Sequence, residues 1–282
     1  PWRIASISFL SAALFMILNA WAPTYELLIV ARIGLGLAYV SSQAPKTLII
    51  LQWMPRRQFV LANGVLFSVM DCLMGVGFIV IPAIMILVGG WRNTLYMWAV
   101  VTVIASFLWF ILGRDRINPE SKFTQQQSKV SLREVLRHRE VWYVGLAVFG
   151  PMVAQASYFS FWPTFAQNQH AIPVTIAGFV MGLGAFGMAP AEFLLAALPY
   201  FRRHTSIVFS LCGIAQSLAY LGFLSTSSTI LLLIFSVIGG AAFGFWPLLM
   251  TMLYTLPGIK PREIVVASSV MYTLMWAGGA MG

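Results

Sequence analysis

Long apolar segments alternate with short polar gaps along the whole chain, and the positive charge sits in every second gap. The segments run at about 4–22, 26–53, 60–88, 93–113, 141–166, 172–199, 205–224, 228–256 and 263–282. Crossing a bilayer core takes about 20 helical residues, so each segment predicts a membrane-spanning helix. One set of gaps holds Arg3; Arg56 and Arg57; Arg114, Arg116, Lys122, Lys129, Arg133, Arg137 and Arg139; Arg202 and Arg203; Lys260 and Arg262. These are 14 of the chain's 17 Lys and Arg residues, and the other set (21–26, 89–93, 167–171, 224–228) holds only Arg92. Lys and Arg near span ends stay on the cytoplasmic side, so the first set is predicted to face the cytoplasm. A miscounted span would scramble this alternation. The expected fold is an all-α polytopic helical bundle with nine spans.

The composition agrees. Hydrophobic residues make up 60% of the chain and charged residues 9%, against about 25% charged in an ordinary soluble domain. A net charge of +9 would suggest nucleic acid in a soluble protein. Here it is mostly the topology signal, with some attraction to anionic lipid, and no nucleic-acid partner is expected. Cys72 and Cys212 lie inside apolar spans and read as small buried hydrophobes. Two isolated cysteines do not make a metal framework. No signal peptide is visible. The chain starts at Pro1 and stops at Gly282 inside a Gly-rich helical pattern, which reads as a piece of a longer protein.

The one long polar stretch, 114–140, separates an N-terminal half at 1–113 from a C-terminal half at 141–282. It ends in SLREVLRHRE, where Ser131 and Glu134 have capping-box spacing. A short amphipathic helix with Leu132, Val135 and Leu136 on its apolar face is expected there. The two halves repeat one another. At an offset of 204, Leu28 to Arg57 lies over Leu232 to Pro261, so that Gly36 meets Gly240, Ala38 meets Ala242, Tyr39 meets Phe243 and Arg56 meets Lys260. Two halves in parallel register, joined by a long loop, are a known transporter plan.

The RIGLG stretch (Arg32 to Gly36) is similar to the R-x-x-x-G of the fourth helix in the major facilitator superfamily, and GGWRNTLYMW (Gly89 to Trp98) to its G-W-R before the sixth. The Ala177-Gly178 start of one span and the Arg202-Arg203 loop resemble the eighth helix and the loop after it. The chain therefore resembles a member of that superfamily, twelve-helix secondary transporters built as six plus six. By this mapping the halves hold helices three to six and seven to eleven. Two motifs depart from the family pattern. The loop LLAALPYFRRH keeps only Arg202 and Arg203 of its motif. In the fifth helix Gly64 is followed by Leu73, Gly77 and Phe78, where antiporter members have Gly, Gly and Pro. That argues against drug/proton exchange and favours uptake or symport.

An ionisable group near the bilayer centre is costly unless paired or hydrated, so such groups are functional candidates. Arg32 lies about 10 Å into its helix from the outer end, and either binds a substrate anion or snorkels to headgroups. Lys46 and Asp71 sit at depths of about 15 and 21 Å counted from the cytoplasmic end, where an ion pair between them would offset much of their desolvation. Asp71 is the expected protonatable group, and Pro45 would weaken the helix beside Lys46. Glu192, ten residues before Arg202, is read as a snorkelling or locally paired acid, with coupling as the competing role. Glu26 and His170 read as solvated surface.

The resemblance implies that helices one, four, seven and ten line the cavity. On the fourth, Tyr39, Ser42, Gln43 and Lys46 form a polar stripe. On the seventh, Gln155, Tyr158 and Trp162 share a face, and on the tenth Phe243, Trp246, Met250 and Tyr254 do so. Gly178, Gly182, Gly184 and Gly187 read as close helix contacts. No nucleotide motif is present and no cofactor is implied.

The expected function is secondary transport of a small solute, an organic or inorganic anion, across the inner or plasma membrane by alternating access with proton-coupled uptake. Export of amphiphilic compounds and a non-transporting membrane sensor are the competing readings. An intramembrane enzyme is disfavoured because His138, His170 and His204 all fall in loops.

Overall fold

A computed structural model of the chain describes residues 2–54, 58–113, 132–252 and 263–281. The four long helices α1 (Trp2–Trp21), α2 (Tyr25–Trp53), α3 (Phe59–Leu87) and α4 (Trp91–Leu112) come first. After them come the short α5 (Leu132–Leu136), then α6 (Arg139–His170), α7 (Val174–Ala197) and the short α8 (Pro199–Arg203). The chain ends with α9 (Thr205–Ser225), α10 (Thr229–Phe243), α11 (Trp246–Met252) and α12 (Ile264–Met281). No strand occurs among the described residues.

Eight stretches among the described residues are long and apolar enough to cross a membrane. The ninth expected span coincides with α12, whose first two side chains lie outside the description. The outward faces are apolar: Leu211, Leu218 and Leu221 on α9 are 62%, 60% and 62% exposed. Apolar area on that scale is unsustainable in water and expected against lipid. The molecule is an all-α membrane protein.

Short connections follow from the turn chemistry. Thr24 caps α2 by accepting from the Leu27 amide at 3.4 Å, with Glu26 in the first turn facing the helix dipole. Between α3 and α4, Gly89 and Gly90 take φ of 79° and 127°, values that a side chain would strain.

By contacts the chain forms two units, one containing α1, α2 and α4, the other containing α3 up to Pro82 together with α5–α12. In the first, α1 packs on both α2 and α4. Hydroxyls stitch it: Ser41 donates to Ser8 Oγ at 2.9 Å, and Ser106 donates to the Ser6 carbonyl at 2.9 Å. In the second unit α7 is the central rod. Its Gly178 and Gly182 let the α3 backbone close in, a Cβ there falling 2.7 Å from the Phe78 carbonyl and 2.8 Å from that of Gly75. Gly184 and Gly187 do the same towards α10, with Ser236 Oγ 2.7 Å and the Val237 carbonyl 3.0 Å from the added carbon. Small residues on both flanks of one helix allow backbone-to-backbone packing on two sides. Through this seam α3 up to Pro82 packs with the elements of the second unit.

The span expected at 228–256 is broken. Helix α10 ends at Phe243 and α11 begins at Trp246, because Pro247 lacks an amide proton and crowds the carbonyl four residues back. Phe243 and Trp246 therefore lie on separate helices, with their rings still in contact at 5.4 Å. The expected amphipathic helix before α6 is the five-residue α5, and its Val135 is fully buried against α6 and α12 residues including Val141 and Ala267. Ser131, residues 114–130, Arg56, Arg57, Tyr254, Lys260 and Arg262 lie outside the described residues, as do the side chains of Gln43, Pro45, Lys46, Arg202 and Met250.

Candidate functional site

Two polar loci are built into the second unit. The first is the α3–α7 seam. The two helices run antiparallel: Gly64 faces Ala196, Ser68 donates to the Ala189 carbonyl at 2.7 Å, and Gly75 faces Gly182. Within this register the Asp71 and Glu192 side chains come within interaction range of each other, and Asp71 Oδ2 and Glu192 Oε2 are both buried. Glu192 is 1% exposed. Ionised carboxylates only accept hydrogen bonds, so a carboxyl–carboxyl bond would need one proton shared by the pair. Glu192 thus has its partner on the neighbouring helix, at a depth where snorkelling to headgroups is not its resting place. The expected Lys46–Asp71 ion pair falls outside what the structure describes, because the Lys46 side chain does.

The second locus is an aromatic cavity among α6, α7, α9 and α10. Gln155, Tyr158, Tyr220, Phe223, Ser236 and Phe243 line it, with Met181 and Met188. The cavity itself is small, about 20 Å³, and it is partly open to the surroundings. Tyr158 is the hub. Its ring lies 4.7 Å from Phe223, 5.5 Å from Tyr220 and 5.5 Å from Trp162, centroid to centroid. Such pairs contribute about 0.5–1.5 kcal/mol each beyond burial. Gln216 fixes Tyr220 from behind by donating to its hydroxyl at 3.1 Å. Ser236 spends its proton on the Val180 carbonyl across the α7–α10 contact and presents its oxygen towards Tyr158. The indole nitrogen of Trp162 is buried with no hydrogen-bond partner among the described residues. Among the described residues, none that is charged lines this cavity.

The predicted residues divide accordingly. Asp71 and Glu192 meet at the seam; Gln155 and Tyr158 line the cavity, and Trp162, 4% exposed, packs behind Tyr158. Trp246 is 6% exposed, does not itself line the cavity, stacks on Phe245 and lies 5.4 Å from the cavity-lining Phe243, ring to ring. Arg32 and Tyr39 belong to the first unit. Both are exposed, and Arg32 has no ion pair or hydrogen bond among the described residues. The outer His170 is not plain solvated surface: its ring packs edge-on against Phe165 at 5.4 Å and its Nε2 is buried. Gln216, Tyr220 and Ser236 were not anticipated. A polar i, i+4 pair inside the apolar 205–224 segment was the available signal for the first two.

Comparison with known proteins places these features. The chain is 25% identical over 246 residues to the uncharacterized protein Cj0987c of Campylobacter jejuni, covering 82% of this chain and 71% of that one. Its fold matches a bacterial homologue of the human lysosomal transporter Spinster, crystallised in an inward-facing and occupied conformation. The TM-score is 0.62 and the identity 16%, over 99% of this chain. This chain spans 64% of the length of that one. The profile of the Major Facilitator Superfamily matches residues 2–282, and the chain belongs to that superfamily.

Proposed function

We propose that this chain forms the core of a secondary active transporter that moves a small solute by alternating access, with proton binding at Asp71 and Glu192 coupled to the solute's movement. The observation that carries this reading is the approach of those two carboxyl groups to each other across the α3–α7 seam, with Glu192 only 1% exposed. A buried acid pair able to hold one proton is a compact coupling device, because its net charge changes by one when the proton leaves. Proton-driven uptake is the direction favoured, since the fifth-helix sequence Gly64, Leu73, Gly77, Phe78 lacks the antiporter pattern. The solute is a small organic or inorganic anion. Arg32, a cation within a span and free of described ion pairs, supports that choice, and Lys46 is its second cationic partner. The membrane is the inner or plasma membrane with residues 114–140 in the cytoplasm.

The test is flux by the full-length protein in proteoliposomes under an imposed pH gradient. Accumulation of a labelled anion that collapses when the gradient is dissipated is the expected result. Flux indifferent to the gradient removes the proton from the scheme.

A second reading has its own observation. The cavity around Tyr158 is aromatic and uncharged, which suits the apolar body of an amphiphile. Efflux of such a compound from loaded vesicles, without anion uptake, selects that reading.

A further inference from the structure

His138 ends the 114–140 connector, and its Nε2 lies 3.7 Å from Oε2 of Glu263 at the foot of α12. The surroundings make this a built joint. Glu263 is 4% exposed and Val135 fully buried, and Val135 sits in one cluster with Val141, Ala267 and Met271. Trp142 closes the other side by donating its indole proton to the Leu136 carbonyl at 2.9 Å. The other charged groups around α5 are Arg133, whose side chain lies outside the described residues, Glu134 and Arg137; Arg139 and Glu140 stand in the first turn of α6, and the described part of α12 adds none, Arg262 before it lying outside the description. Carboxylates and guanidinium groups keep their charge between pH 6 and 8, and histidine is the side chain that changes charge there. Only the protonated imidazole makes an ion pair with Glu263.

We propose that His138 and Glu263 form a proton-controlled clasp that holds the end of the connector against α12. With the imidazole charged the clasp is closed, and as pH rises and the proton leaves, residues 132–138 come away from α12 more often. The connector's attachment to the C-terminal half then reports the pH on the connector's side of the membrane. This holds whichever solute is carried, and whether or not Asp71 and Glu192 couple protons.

Hydrogen exchange of residues 132–142 in the full-length protein, corrected for intrinsic rates, tests it at pH 6 and pH 8. Exchange in the unmodified protein should be about two- to five-fold slower at pH 6, the range a partly exposed ion pair supplies. In His138→Gln and in Glu263→Gln that difference should vanish. Equal protection at both pH values in the unmodified protein overturns the clasp, and so does a pH difference that survives in either variant. Should Glu263→Gln fail to fold, His138→Gln decides, with the emission of Trp142 against pH as its second readout.

Discussion

Asp71 on α3 and Glu192 on α7 bring their carboxyl groups together across a seam where the two backbones are in contact on either side of them. The relationship puts an acid pair where neither helix could hold a lone charge cheaply. Asp71→Asn and Glu192→Gln both keep a hydrogen-bonding side chain of nearly the same shape while removing the titrating group. In the proposed scheme each variant inserts and folds, still exchanges solute down its gradient, and no longer accumulates it under a pH gradient. Counterflow and gradient-driven uptake, measured side by side in proteoliposomes, separate those outcomes. Gradient-driven accumulation unchanged in both variants removes the pair from coupling.

Backbone proximity at the seam predicts an asymmetry among glycines. A Cβ at Gly182 meets Ile79 Cγ1 at 2.6 Å and the Gly75 carbonyl at 2.8 Å, whereas nothing lies within 4 Å of one at Gly213. Gly182→Ala is therefore expected to lower stability by about 1–3 kcal/mol, since α3 must shift to admit the methyl group. Gly213→Ala on the open face of α9 is expected to be neutral or to stabilise by up to about 1 kcal/mol through helix propensity. Thermal unfolding of the two purified variants in one detergent gives the comparison.

What the sequence disclosed and what it withheld have a common physical basis. Span positions were legible because desolvating a charge is so unfavourable that Lys and Arg gather at one end of each apolar segment and stay out of most of its length. The crowding role of Gly178, Gly182, Gly184 and Gly187 was legible for a similar reason, since small residues recur where backbones touch. Pairings were not. Opposite charges at comparable depth on adjacent segments invite a pairing of Asp71 with Lys46, whose side chain lies outside the described residues; the approach of Glu192 to Asp71 follows from α3 lying along α7, a tertiary choice with no periodic signature. The stripe running from Phe243 through Trp246 assumed an unbroken helix. Pro247 was the visible warning that the ladder would be interrupted there.

The hydrogen bond from Gln216 to the Tyr220 hydroxyl predicts a non-additive pair. Gln216 is 4% exposed, so Tyr220→Phe leaves a buried amide without its acceptor, at a cost of about 1–3 kcal/mol. The double variant Gln216→Leu with Tyr220→Phe removes both partners and should recover most of that loss. Unfolding midpoints for the four members of the cycle supply the coupling energy. Additive losses would show that the bond contributes nothing to holding Tyr220 against Tyr158.

Arg32 gives the sharpest separation between folding and transport. Its side chain is exposed on α2 and has no ion pair or hydrogen bond among the described residues, so truncation breaks no contact on which the fold depends. Arg32→Ala is accordingly expected to insert and unfold like the parent, within about 0.5 kcal/mol, while anion uptake falls to background. Arg32→Lys keeps the charge but loses the planar two-pronged donor geometry, and should retain a reduced uptake if the solute presents a carboxylate or phosphate to be gripped in that way. Uptake restored fully by Lys points to a simple point charge. Normal uptake in Arg32→Ala would place the residue at the headgroups, snorkelling outward from a site it never touches.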